Sequence, residues 1–91
     1  MKSQDPISAV QIRAGRGLLG WSARQLAEHA GVSLPTVQRF EWSDGIPESR
    51  GGTLARVRSA LEAAGVVFIG DPLLDPGVQL TRGPASRAAG S

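Results

Sequence analysis

The chain has 91 residues, of which 41% are hydrophobic, which is enough for one small domain with a modest core. It contains no cysteine, which excludes disulfides, thiolate metal sites and cysteine nucleophiles. The formal net charge is only +2, so any affinity for nucleic acid must come from where the arginines lie. No apolar run approaches the ~20 residues that span a bilayer, and the first residues, MKSQDPIS, lack the apolar segment of a signal peptide. We therefore expect a cytoplasmic protein.

Residues 1–5 are predicted to be a flexible lead-in to a first helix. This helix begins at Asp5-Pro6, or after Ser8 as its cap, and runs to about Leu19. Its predicted core face consists of Val10, Ala14 and Leu18, with Ile7 at the start.

The stretch from Ser22 to Glu41 has the pattern of two short helices joined by a glycine turn. Ser22 is a predicted N-cap, and Gly31 supplies the left-handed residue that commonly ends a helix. Ser33 is predicted to cap the second helix, whose core face is Val37 and Phe40. This pattern predicts a helix-turn-helix and indicates DNA binding.

A long amphipathic helix is predicted from Thr53 to Gly65, with apolar residues at helical spacing. The β-branched and aromatic residues that follow predict a β-hairpin over residues 66–82, and residues 83–91 have nothing to bury and are predicted to be disordered. The expected fold is thus mainly α: a compact four-helix, repressor-like helix-turn-helix bundle at residues 6–65 with a C-terminal β-hairpin.

Catalytic and cofactor sites are not expected. The segment Gly15 to Gly20 matches GxGxxG, but it follows a predicted helix, whereas a dinucleotide fingerprint must follow a strand. His29 is the only histidine and has no companion at metal-ligand spacing. The sequence predicts no enzyme, no metal and no cofactor.

Residues from about Ile12 to Gly65 resemble the Cro/phage-repressor type of helix-turn-helix proteins, the xenobiotic-response-element family. The resemblance lies in the segments GWS, LAEHAGVS and TVQRFE and in the later helix LARVRSAL. It implies a compact helical bundle that binds double-stranded DNA as a dimer, in a cytoplasmic, nucleoid-associated protein of bacterial or phage type.

The resemblance also implies roles for individual residues. The helix at about 33–42 would be the recognition helix in the major groove. The residues expected at the DNA are Ser22, Arg24, Ser33, Leu34, Pro35, Thr36, Gln38, Arg39 and Arg50. Arg39 would fork to a guanine, while Arg24 and Arg50 would contact phosphates. Arg16 and Glu41 would form a structural ion pair.

The chain departs from the family pattern where Ala23 and the apolar Leu34 and Pro35 replace the usual polar residues, and where the hairpin replaces a fifth helix. A short apolar strand offers an edge to a second copy, so a homodimer through the hairpin is expected. Its predicted interface consists of Val66, Val67, Phe68, Ile69, Val78 and Leu80.

The expected function is that of a sequence-specific, dimeric transcription regulator. Two alternatives remain at this point. One is the antitoxin of a toxin–antitoxin pair, which binds its own operator and a toxin protein through residues 66–91. The other is a protein-interaction module that has lost DNA binding, which Ala23, Leu34 and Pro35 favour.

Overall fold

The structure, a computed structural model, describes residues 6–82, which form four helices followed by two strands. The helices are α1 (Ala9–Leu19), α2 (Ala23–Ala30), α3 (Leu34–Glu41) and α4 (Thr53–Ala63). Strands β1 (Val66–Ile69) and β2 (Gly77–Leu80) pair antiparallel, with Val66 opposite Leu80 and Ile69 opposite Gly77. The mainly helical class and the C-terminal hairpin are therefore confirmed. The predictions for residues 1–5 and 83–91 lie outside the described residues.

Short-range hydrogen bonds set the helix starts. Ser8, rather than Asp5-Pro6, caps α1: its hydroxyl accepts from Gln11 N, and its own amide donates to Gln11 Oε1. Ser22 and Gln25 repeat this capping box at α2. The start of α4 differs, because Gly52 is the N-cap at φ +75° and the hydroxyl of Ser49 accepts from Leu54 N.

The core lies between the four helices and the inner face of the hairpin. Its members are at most 4% exposed: Ile7, Ile12, Leu26, Ala27, Val37, Phe40, Val57, Leu61 and Val66. These include the predicted core residues of α3, Val37 and Phe40. The buried faces of α3 and α4 thus follow the helical spacing of their apolar residues.

Of the predicted core residues of the first helix, Ile7 is buried, but the predicted face of Val10, Ala14 and Leu18 is exposed and therefore wrong. Val10 is 46% exposed and Leu18 is 44% exposed, whereas Gln11 and Gly15 are buried. Two features explain why Gln11 and Gly15, rather than the predicted face, are buried. The side-chain amide of Gln11 donates to the carbonyls of Ile69 and Gly77, which satisfies its donors inside the fold. The missing side chain of Gly15 admits the hairpin, since a Cβ there would lie 3.2 Å from Val66 Cγ1.

The hairpin has one face on the core and one face in solvent. Phe68, Val78 and Leu80 pack inward, while Val67 and Ile69 point outward with 42% and 46% exposure. The strand connector begins at Gly70, whose φ of +77° and close approach to the carbonyl of Asp75 exclude a side chain. The hairpin therefore covers one side of the helical bundle, and its outer face is the one most open to another molecule.

Candidate nucleic-acid interface

The turn between α2 and α3 fixes the angle at which α3 leaves the bundle. Gly31 adopts φ +71°, and Val32 N donates to Ala27 O at 3.0 Å, which closes the end of α2. Val37 and Phe40 on the inner side of α3 are fully buried. Because one face of α3 is locked into the core, its opposite face is held in solvent in a fixed orientation.

The exposed face of α3 carries most of the residues that the sequence placed at DNA. Ser33, Pro35, Gln38 and Arg39 are exposed, and Leu34 and Thr36 are partly buried. Outside α3, Ser22 and Arg24 at the start of α2 and Arg50 in the α3–α4 loop are also exposed. The surface is therefore polar with arginines at its sides and a small apolar area at the start of α3.

The capping side chains of α2 and α3 are already engaged within the chain. The Ser33 hydroxyl accepts from Thr36 N at 3.2 Å and lies 2.8 Å from Thr36 Oγ1. At α2, the Ser22 hydroxyl accepts from Gln25 N at 3.0 Å. The remaining first-turn amides of a helix have no intrahelical acceptor, and together they favour a negative group at that end. The start of α2, with Arg24 in its first turn, is thus suited to a phosphate.

A groove of about 640 Å³ separates α3 from the loop that precedes α4. Arg39 lies along its wall, where Nη1 donates to the carbonyl of Glu48 at 3.0 Å and the guanidinium lies 5.0 Å from the centre of the Phe40 ring. Arg50 lines the same groove. Arg39, the expected base-contacting residue, is therefore folded onto the loop and beside Arg50.

Glu48 is a member of this groove that the sequence analysis did not single out. Glu48 is exposed and lines the groove together with Arg39 and Arg50, so its carboxylate would repel a phosphate there. Trp42, directly after α3, is 87% exposed. No local sequence signal distinguishes Glu48, since its position depends on how the loop after α3 returns to the bundle.

Arg16 and Glu41 form the expected ion pair, which anchors the C-terminal end of α3 to α1. Arg16 Nε lies 2.6 Å from Glu41 Oε2, and Nη2 lies 2.9 Å from Oε1. The carboxylate is almost fully buried, and its hydrogen bond with the guanidinium raises the pKa of Arg16. The guanidinium therefore stays charged, and the pair acts as a fixed brace behind the exposed face.

The predicted dimer residues divide between the two faces of the hairpin. Val66, Phe68, Val78 and Leu80 pack against the chain's own core, so only Val67 and Ile69 are turned outward. Val66 is buried and the other three are only partly exposed, so little of their surface is available to a second copy.

Across residues 6–82, no three histidine or acidic side chains are placed to hold a metal ion. None of the helices described is both long and apolar enough to cross a membrane. In comparisons with known proteins, no family model matches the chain and no curated protein is similar to it.

Proposed function

We propose that the protein binds double-stranded DNA sequence-specifically and regulates transcription as a homodimer, with the helix at residues 33–42 in the major groove. The observation that carries the proposal is that α3 is buried along one side and exposed along the other. Its apolar side is buried through Val37 and Phe40, and its opposite side is exposed at Gln38 and Arg39. Arg50 lines the adjoining groove, and Arg24 is exposed at the start of α2. An α-helix presented in this way fits the width of the major groove. The resemblance to repressor-type helix-turn-helix proteins supports the same function.

The proposed contacts follow from side-chain chemistry. Arg39 pairs with guanine O6 and N7 after it releases the carbonyl of Glu48, and Gln38 reaches a neighbouring base or phosphate. Leu34 and Pro35 pack on a thymine methyl group. Because these two apolar residues carry no hydrogen-bond code in their side chains, sequence preference depends strongly on Arg39 and on the shape of the duplex.

Phosphate contacts fix the register of α3 on the duplex. Arg24 with the first-turn amides of α2 takes one strand, and Arg50 in the loop before α4 takes a phosphate next to the groove. The Ser22 and Ser33 hydroxyls hold the two helix starts in shape. In the proposed homodimer, two such units lie one DNA turn apart, roughly 34 Å, on a pseudo-palindromic operator.

Selection of bound fragments from a random duplex pool at two salt concentrations tests the proposal. We expect enrichment of a two-fold motif with half-sites about one turn apart, retained at the higher salt. Retention without enrichment, lost at higher salt, would reduce the function to general DNA affinity. No retention at either salt would rule out DNA as the ligand and favour a protein partner instead.

A further inference from the structure

The connector between the two strands presents two leucines to solvent on an ordered turn. Leu73 is 60% exposed and Leu74 is 85% exposed. The carboxylate of Asp71 accepts from both of their amides, at 2.8 and 3.0 Å, and Asp71 N donates to Asp75 Oδ1 at 2.6 Å. Because the backbone that carries these two leucines is already ordered, their burial in an interface would cost little backbone conformational entropy, which favours a role as interface anchors.

A groove of about 290 Å³, lined in part by Leu73, lies between α1, the loop after α3 and the connector. Its apolar walls include Val10, Pro72, Leu73 and Pro76, and its charged residues are Arg13 and Asp44. Asp44 is exposed, and within residues 6–82 no hydrogen bond or ion pair engages its carboxylate. Arg13 donates to the carbonyl of Glu41 and is otherwise exposed. One patch therefore carries two exposed leucines, a groove with both apolar and polar walls, and two opposite charges.

We propose that this patch, defined as the connector with its adjoining groove, is the surface on which a second copy of the chain docks. In a two-fold dimer, every contact occurs twice with the roles of the copies exchanged. Leu74 of each copy enters the groove of the other, and Arg13 faces the partner's Asp44. The opposite charges on one patch are what such a contact requires, because a patch of one sign would repel its own copy.

This inference deepens the proposed dimeric function by naming its surface, and it replaces the inward-facing hairpin residues as the main contact. It is tested without DNA, so its failure is distinct from failure of the proposed function. A chain that dimerises as described below but enriches no DNA motif would establish the surface and reject sequence-specific DNA binding. An enriched motif with no dimer in solution would establish DNA binding and reject the surface.

Sedimentation of the full chain over a range of concentrations measures the monomer–dimer equilibrium. We expect Leu74→Ser to raise the dimer dissociation constant at least about tenfold, as removal of a buried anchor does. Leu18→Ser is the matched control, because Leu18 is 44% exposed on α1 and does not line this groove. A wild-type chain that remains monomeric, or equal losses from the two variants, would overturn the proposal.

A charge exchange distinguishes contact between copies from an effect within one chain. Asp44→Lys and Arg13→Glu each place like charges across the two-fold, so each variant alone is expected to dimerise more weakly. Mixed in equal amounts, the two variants restore both opposite-charge contacts and recover a heterodimer. Failure of the mixture to recover, with both variants still folded by circular dichroism, would contradict the proposed surface.

Discussion

Arg16 and Glu41 connect α1 to the end of α3 through two parallel contacts, Nε to Oε2 at 2.6 Å and Nη2 to Oε1 at 2.9 Å. The third donor of Arg16, Nη1, reaches the carbonyl of Trp21 at 3.0 Å. One guanidinium therefore holds three segments: α1, the turn before α2 and the last turn of α3. This brace fixes the direction of α3, and with it the exposed surface proposed to enter DNA.

Replacement of Arg16 by methionine is expected to lower the free energy of unfolding by about 2–3 kcal/mol, because it leaves the Glu41 carboxylate buried without its partner. Urea denaturation measures the loss. The double variant Arg16→Met with Glu41→Gln should lose less than the sum of the two single variants, since the unpaired charge is gone. Strictly additive losses would mean that the two side chains are not energetically coupled.

The pH dependence of this brace follows from the raised pKa of Arg16. A folded-state pKa above the unfolded value stabilises the fold fully below the unfolded pKa, and the effect is lost only as pH rises through the folded pKa. For arginine both values lie in strong alkali. The guanidinium therefore adds no pH dependence to the free energy of unfolding at roughly neutral pH.

Gln11 and Gln25 occupy equivalent positions in their capping boxes, but only Gln11 also bonds to the hairpin. Gln11→Leu is expected to cost about 1–3 kcal/mol, because it leaves the Gly77 carbonyl and the Ser8 amide without partners in a buried site. The exposed Gln25→Leu should cost under about 1 kcal/mol. Thermal denaturation of both variants gives the comparison, and equal losses would show that Gln11 does nothing beyond capping.

Gly15 and Gly17 lie in the same helix with different surroundings. Nothing lies within 4 Å of a Cβ built on Gly17, so Gly17→Ala should stabilise the protein by about 0.5–1 kcal/mol through helix propensity. At Gly15 the added methyl would press on Val66 Cγ1 at 3.2 Å, and we expect Gly15→Ala to gain less or to destabilise. A larger gain at Gly15 than at Gly17, measured by chemical denaturation, would contradict the close packing of α1 on the hairpin.

The features that sequence alone predicts are those set by neighbours along the chain. The serine caps at Ser22 and Ser33, the turn at Gly31 and the inner faces of α3 and α4 need no tertiary knowledge. The two strands follow from β-branched composition on either side of an Asp-, Pro- and Gly-rich connector.

The errors arise where distant segments meet. A polar Gln11 counts against burial until the hairpin carbonyls that accept from it are known. The exposure of α3 followed from its pattern, but the contact of Arg39 with the carbonyl of Glu48 depends on the path of a loop nine residues away. For the same reason, the sequence could not predict that Glu48 lines the groove beside α3 or that the Leu74 amide donates to the Asp71 carboxylate.

Glu48 places a negative charge in the groove that Arg39 and Arg50 share. Glu48→Gln is expected to strengthen binding to duplex DNA by up to about fivefold at low salt, since an exposed charge contact is worth up to ~1 kcal/mol. The gain should shrink as salt screens the groove. Fluorescence anisotropy with a labelled duplex measures it, and Glu48→Asp, which keeps the charge, serves as the control. If Glu48→Gln gains no DNA affinity at low salt, the phosphates of the bound duplex do not lie near this groove.

Arg39 and Arg24 differ in the kind of contact proposed for them. Arg39→Ala should cost about 1–3 kcal/mol at the selected operator and relax preference at one base pair, whereas Arg24→Ala should weaken all sequences alike and reduce the salt slope by about 1. Arg56→Ala, an exposed arginine of α4 outside the groove, is the control.

The alanine variant of Arg39 also removes the hydrogen bond to Glu48 O, so a second variant separates the two roles. Arg39→Lys keeps the charge and a donor for that carbonyl but lacks the planar fork that pairs with guanine. We expect it to retain general DNA affinity and stability while losing the base preference. If Arg39→Lys keeps the full preference, Arg39 positions the loop and the base is read elsewhere on α3.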